Sequence, residues 1–418
     1  MVMAASYQNR DVQKRRATDF AISFTTSIYL DGEKSFDILQ GLLVHMAWYQ
    51  CHQMNNSQMT NLTQLAIAVL ADLELNKPVH ANDRRKLIYD ASLNSYGFTA
   101  EKRTLTNDER RALLCCYYQS STGSTVYCKV DAMEYTNHMH NALEDLLAPR
   151  ERDGDILLAN LVRMQNIVHE ITQIIPYDEP ERPQARGAPF VMHIRTLEKT
   201  LAEFQSSLPP SLVENRFLLM HLMTARVFLF EVCLYDSPWE GTTTRKRLDG
   251  LWSCVESLQS HIQMFCSFSV ESYMYLPYAF WGQLSHSLLT LSRVCLVDIE
   301  GWDRSLIDKG LQFPAAMSQV IGCIQASQEF AKTHWLGDAD DTILSRVITK
   351  FGWVKAWYDG HVGENGGDSG EMSMQETVSA ETDNQNSMFL DSRFWEDIMA
   401  DYQALPAFMK GGVELGQP

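Results

Sequence analysis

Apolar residues return every three or four positions through most of the first 358 residues, and alternating runs of β-branched residues are nearly absent. That spacing puts one apolar stripe on each helix and leaves no pleated surface for a sheet. The chain is therefore expected to be all-α, a body of antiparallel packed helices. Ser35 stands as an N-cap before Phe36, Leu39, Leu42, Leu43, Met46 and Ala47, with Asp37 favourable in the first turn. Leu62, Leu65, Ala66, Val69, Leu70 and Leu73 repeat the pattern, which stops at Asn76-Lys77-Pro78. Thr106 and Glu109 have capping-box spacing ahead of Leu113, Leu114, Tyr117 and Tyr118. Further helical patterns cover residues 155–175, 191–206, 211–235, 244–267, 278–297, 314–334 and 339–358. Connectors are short and polar except at 177–189, where prolines and charged residues mark a surface loop.

Charge divides the chain. The formal net charge is −17, which opposes non-specific DNA binding because that needs a basic footprint. From Asp359 to the end, twelve acidic residues face only Arg393 and Lys410. Residues 359–388 are Gly, Ser, Glu, Asp, Asn and Thr with few apolar anchors, the composition of a flexible acidic linker. Residues 389–418 restart a helical pattern. Leu390, Phe394, Trp395, Ile398, Met399 and Tyr402 share one face, and Asp391, Glu396, Asp397 and Asp401 flank it. Bulky apolar groups held in solution by surrounding acids are the composition of an activation segment that docks into a coactivator groove. The competing reading is a terminal helix folded back on its own body.

Several chemistries are excluded or find no support. No stretch at the N-terminus has the apolar core of a signal peptide, and no membrane role is expected. The most apolar run, Phe217 to Tyr235, contains His221, Arg226 and Glu231 and reads as a buried helix. The nine cysteines are odd in number, scattered and without a Cys-x-x-Cys pair, which points to reduced thiols and away from a structural zinc site. His138 and His140 lie two apart, on nearly opposite sides of a helix, and read as solvated polar side chains rather than a chelating pair. His169-Glu170 lacks the second histidine of a zinc-protease helix, since Gln173 stands there. The acidic run Asp338 to Asp341 lacks a calcium loop's glycine and terminal glutamate, and reads as a helix cap. No nucleophile elbow, phosphate loop or dinucleotide fingerprint occurs, so no catalytic, cofactor-binding or metal-ligating residue is assigned. Lys14-Arg15-Arg16, Arg84-Arg85-Lys86 and Arg245-Lys246-Arg247 are each too short to carry nuclear import alone. Tyr273, Tyr275, Tyr278, Phe280 and Trp281 gather aromatic surface around Pro277, either as the wall of a small-molecule pocket or as ordinary core.

The segment Gly32-Glu33-Lys34-Ser35-Phe36-Asp37-Ile38-Leu39-Gln40-Gly41-Leu42-Leu43, running on to Ala47-Trp48-Tyr49, resembles the helical middle region of fungal zinc-cluster transcription factors. Leu65 to Asn76, Glu109-Arg110-Arg111-Ala112 with Cys116-Tyr117-Tyr118, Gly301-Trp302-Asp303, and Leu390 to Trp395 resemble later landmarks of that family, in the same order. The resemblance implies an all-α regulatory domain over residues 1–358, a nuclear role in transcription, and association with secondary-metabolite gene clusters. The family's DNA-reading module is an array of six cysteines holding zinc. The first cysteine here is Cys51, inside the middle-region match, so no zinc ligand or DNA-contacting residue is carried over. Two explanations stay open: a regulator that reaches promoters through partners, or an upstream exon that encodes the cysteines. The expected partners are the transcription machinery or a DNA-binding protein, with a small-molecule effector as a further expectation. No direct DNA contact, cofactor or enzymatic activity is expected. The alternative is a helical pathway enzyme or small-molecule-binding protein using the aromatic cluster from Tyr273 to Trp281.

Overall fold

Thr106, Thr136 and Asn215 open three helices by the same chemistry. Each side-chain oxygen accepts from a backbone amide three residues on, at 3.3, 3.3 and 3.1 Å. At Thr106 the box is reciprocal, since the Glu109 carboxylate accepts from the Thr106 amide at 2.8 Å. Ser35 occupies the N-cap position of its helix with extended backbone, but its side chain makes no cap bond.

The computed structural model describes residues 10–49, 58–77, 104–127, 131–149, 151–174, 188–235, 239, 243–307, 309–334 and 343–365. Within them lie α1 (Arg10–Thr25), α2 (Phe36–Ala47), α3 (Met59–Asp72), α4 (Asn107–Tyr127), α5 (Asn137–Leu147) and α6 (Asp153–Thr172). The second half adds α7 (Ala188–Ser206), α8 (Arg216–Glu231), α9 (Thr244–Cys266), α10 (Tyr278–Leu296), α11 (Phe313–His334) and α12 (Ile343–Asn365). Among the described residues there is no strand, so the all-α expectation holds. A π-helical turn, Thr26–Leu30, continues α1.

Boundaries differ in three informative places. α8 starts at Arg216 rather than Ser211, because Leu212 and Asn215 close turns behind Pro209 and Pro210, and Asn215 then caps the helix. α7 begins at Ala188, inside the loop expected over 177–189, with Pro189 in its first turn where a missing amide costs nothing. α12 runs past Asp359 to Asn365, and the Lys355 ammonium bonds the Asp359 carboxylate one turn on at 2.7 Å. α1 and α5 were not among the anticipated helices. His138, read as solvated, instead hydrogen-bonds the Leu75 carbonyl oxygen at 3.1 Å and ties α5 to the end of α3.

The apolar stripes build two cores. The first joins α1 to α5 through Leu39, Leu42, Leu70, Leu113, Leu114 and Leu143. The second runs from the middle of α6 to α12, around Phe228, Leu229, Leu258, Leu284, Leu288 and Val320. α6 serves both, giving Ala159 and Val162 to the first and Met164, Val168 and Ile171 to the second. Tyr278 reaches from α10 into the first core, edge-on to Tyr49 at 5.6 Å between ring centres.

α10 is the axle of this arrangement. It packs against α2, α4, α8, α9 and α11, and only three of its residues escape full burial. α8 beside it is apolar enough over Arg216–Leu234 to pass as a membrane span, yet 72% of that window is buried in protein, as a core helix requires.

An ionic clamp fixes the start of α6 to α4. Arg111 meets Asp155 through two bonds, Nε to Oδ1 at 2.7 Å and Nη2 to Oδ2 at 2.9 Å. Asp108 and Glu151 bind the same guanidinium at 2.7 and 2.9 Å. The fork geometry suits a carboxylate, and the Asp155 side chain is only 4% exposed. The Arg111 hydrogen bond holds the Asp155 carboxyl below its ordinary range. Neighbouring Arg110 meets Asp145, which is 61% exposed. Arg111→Ala leaves the buried Asp155 carboxylate with only the Arg152 amide at 3.2 Å and is expected to cost about 3 kcal/mol. Arg110→Ala is expected to cost at most about 1 kcal/mol. Urea denaturation of the two variants beside the parent checks this contrast; equal losses would refute the clamp.

Candidate functional site

The sequence offers two places for function. One is the face of Leu390, Phe394, Trp395, Ile398, Met399 and Tyr402, which lies outside the described residues, as do Arg84-Arg85-Lys86 and the acidic run at Asp338 to Asp341. The other is the aromatic cluster around Pro277. Its members part company in the fold. Tyr273, Phe280 and Trp281 are buried in the second core, and the Tyr273 hydroxyl donates to the Phe265 carbonyl at 2.7 Å. Tyr275 is half out in solvent, and its carbonyl accepts from the Trp48 indole at 2.8 Å. Tyr278 lines a small cavity. The cluster is thus mostly core and does not form one pocket wall.

That cavity sits where α2, α3, α4 and the start of α10 meet. It is an open cleft of about 50 Å³, bounded by Met46, Met59, Tyr118, Gln119, Thr122, Gly123, Pro277 and Tyr278 among others. No carboxylate, imidazole, amine or thiol side chain is among its walls. Two of its polar members bond to backbone. Gln119 Nε2 donates to the Leu43 carbonyl at 3.0 Å, and Thr122 Oγ1 donates to the Tyr118 carbonyl at 2.7 Å. The space is that of a few water molecules, and phenols are its only titratable walls.

The titratable groups converge elsewhere, in a dry seam along α10. Tyr118 from α4 and Gln283 from α10 hold the two ring nitrogens of His221 on α8 from opposite sides, Tyr118 Oη at 2.8 Å from Nε2 and Gln283 Nε2 on Nδ1. Thr224 Oγ1 lies 3.2 Å from His261 Nε2 on α9. Further along, Glu231 Oε2 accepts from Thr290 Oγ1 at 3.0 Å and sits 2.7 Å from His286 Nε2. Gln283 Oε1, His261 Nδ1, Trp281 Nε1 and Ser287 Oγ are buried there without a protein partner. Burial drives the His221 and His261 imidazoles down to about 3, so both are neutral at any ordinary pH. Burial pushes the Tyr118 hydroxyl well above the usual phenol range. Burial thus keeps His221, His261 and Tyr118 uncharged within a hydrogen-bonded core that also holds the Glu231–His286 pair. Among the described residues no cluster of His, Cys, Asp and Glu is arranged to hold a metal ion.

Sequence reading missed this seam, because the sequence shows its polar positions but not their partners. His221, Thr224 and Glu231 on α8, and Gln283, His286 and Thr290 on α10, are polar residues set at helical spacing inside apolar stripes.

Three buried histidines make stability depend on pH. His45 is held at about 4, and His221 and His261 at about 3. The unfolded chain takes up these protons near pH 6.5, whereas the folded chain refuses them until far lower. Unfolding therefore binds protons, and stability falls as pH drops from 6.5 towards 4. Each histidine contributes a slope of up to about 1.4 kcal/mol per pH unit. Urea midpoints measured from pH 7.5 to 4.5 check this; a flat profile would refute it. His221→Gln is expected to shallow the slope.

Comparison with known proteins adds the biological setting. A family model described as the ATEG07667_C C-terminal domain matches residues 270–408. The chain is 28% identical over 285 residues to transcription factor opdL of Penicillium oxalicum, covering 67% of this chain and 50% of that protein. It is 27% identical over 240 residues to transcription factor himD of Aspergillus japonicus, covering 56% of this chain and 38% of that protein. A transcription factor of Aspergillus terreus is 25% identical over 214 residues, covering 48% of this chain and 36% of that protein. The chain spans half or less of the length of each of these relatives. No solved structure matches. The likeness read from Gly32 to Tyr49 and from the landmarks that follow it therefore holds: this chain is a homologue of fungal transcription factors.

Proposed function

We propose that the chain is the regulatory part of a fungal transcription regulator, working in the nucleus through protein contacts to control a secondary-metabolite gene cluster. The observation that carries the reading is its likeness to several proteins named as transcription factors. The fold is consistent with it: the helical body has a buried, hydrogen-bonded polar seam and a small, mainly apolar cleft without a carboxylate, imidazole or amine, which favours a scaffold over an enzyme. The face of Leu390, Phe394, Trp395, Ile398, Met399 and Tyr402 is the coactivator-contacting segment. Acidic neighbours keep that face soluble and speed its encounter with a basic-rimmed groove, while the aromatic residues supply affinity.

Two experiments test the reading. With a formal net charge of −17, the purified chain is expected to show no measurable binding to duplex DNA at physiological salt. Robust binding by fluorescence anisotropy would overturn a role that depends on partners. When the full chain is fused to a heterologous DNA-binding domain, it is expected to activate a reporter. Phe394→Ala with Trp395→Ala is expected to remove that activity, since losing one buried aromatic anchor weakens a contact by about thirtyfold. Unchanged reporter output from the double variant, at equal protein level, would sink the assignment of this face.

A further inference from the structure

We propose that Cys266 and Cys323 form a reversible thiol–disulfide pair that locks the end of α9 to α11. Cys266 is the last residue of α9, and Cys323 lies in the middle of α11, which packs on it. The Cys323 thiol points at Cys266, with its Sγ 3.9 Å from the Cys266 carbonyl oxygen. That contact places the Cys323 sulfur against the residue with which it would close a disulfide.

Access separates this pair from the other thiols. Both Cys266 and Cys323 are half-buried free cysteines, so a small reagent reaches them without unfolding. Cys233, in the turn that follows α8, and Cys254 on α9 are fully buried and out of reach. Among the remaining described cysteines, Cys115 is engaged by Gln119, and Cys116 and Cys295 are buried. Burial and the neighbouring thiol push Cys266 up to about 12, which disfavours its thiolate.

The oxidant is a low-molecular-weight disulfide such as oxidised glutathione. The Cys323 thiolate attacks one sulfur of the oxidised glutathione, breaking its S–S bond and releasing one glutathione thiolate. Cys266 then attacks the mixed disulfide through its own sulfur, its proton passing to the medium, and a second glutathione thiolate leaves. The protein loses two hydrogens and two electrons, and one glutathione disulfide becomes two glutathione thiols. The bond closes the chain across a separation of 57 residues, which contains the whole of α10. It reduces the freedom of the unfolded chain and raises thermal stability.

The test uses the purified, reduced full chain, equilibrated in glutathione buffers from fully reducing to fully oxidising and then alkylated and digested without reductant. The expected result is a single crosslink between the peptides of Cys266 and Cys323, reversed by dithiothreitol. It should be accompanied by a rise of several degrees in Tm that vanishes in both Cys266→Ser and Cys323→Ala. Far-UV circular dichroism confirms that each variant is folded. Recovery of both cysteines as free thiols, or as separate glutathione adducts, from folded protein in the oxidising buffer overturns the proposal. So does a crosslink between another pair of cysteines in their place.

Discussion

The whole body depends on burying a helix that has almost no solvent side. α10 is walled by five other helices, yet its sequence carries Gln283, Ser285, His286, Ser287, Thr290 and Ser292, all buried. A polar atom taken from water without a partner costs about 1–3 kcal/mol in proteins, so each of these groups constrains whatever packs over it. Part of the solution is local. Ser285 and Ser292 turn back onto backbone carbonyls of α10 itself, at 2.9 and 2.7 Å. The rest is not local: α8 places His221 for Gln283 and Glu231 for His286 and Thr290, and Tyr118 on α4 holds the far side of the His221 ring. The register of α8 and α4 against α10 follows from these pairings more strictly than from the apolar residues around them, which tolerate sliding.

The same helix joins the two cores. Tyr278 at its first turn belongs to the first core, and Leu284 and Leu288 two and three turns on belong to the second. α6 repeats the bridge on the other side, with its N-terminus fixed by the Arg111–Asp155 clamp. The landmark Glu109-Arg110-Arg111 thus has a structural account. Glu109 completes the α4 capping box, Arg111 locks the bridge, and Arg110 reaches outward to a mostly exposed carboxylate. None of the three faces a cavity suited to chemistry.

Most of the helices were legible because their apolar stripes repeat cleanly, as in Phe36 to Ala47 or Leu113 to Tyr118, and because caps such as Thr106 carry their chemistry in two residues. α5 was legible in principle, since Met139, Ala142, Leu143 and Leu146 have helical spacing; the polar His138 and His140 at its start drew the reading towards the surface. α1 was harder. Its buried face is Gln13, Ala17 and Phe24, a stripe too thin to stand out from the Lys14-Arg15-Arg16 run. The seam along α10 was not legible, because a histidine or glutamate inside an apolar stripe has no visible partner until the chain is folded. His221 pairs with residues 103 positions before it and 62 after it. Sequence spacing carries information over a few helical turns, and these contacts cross the whole body.

Charge then separates two kinds of work along one chain. Burial keeps His221 and His261 in the seam neutral, so their hydrogen bonds hold without ions and without sensitivity to salt. The last sixty residues carry most of the net negative charge on a minority of the length. A scaffold that had to present such a segment to a partner could not itself carry a strong opposite field, because the segment would then be drawn onto it at low salt. The body before Asp359 is itself mildly acidic, with its basic residues interspersed among acids or spent on clamps such as Arg111. That balance gives the acidic terminal segment no strong opposite field on the body.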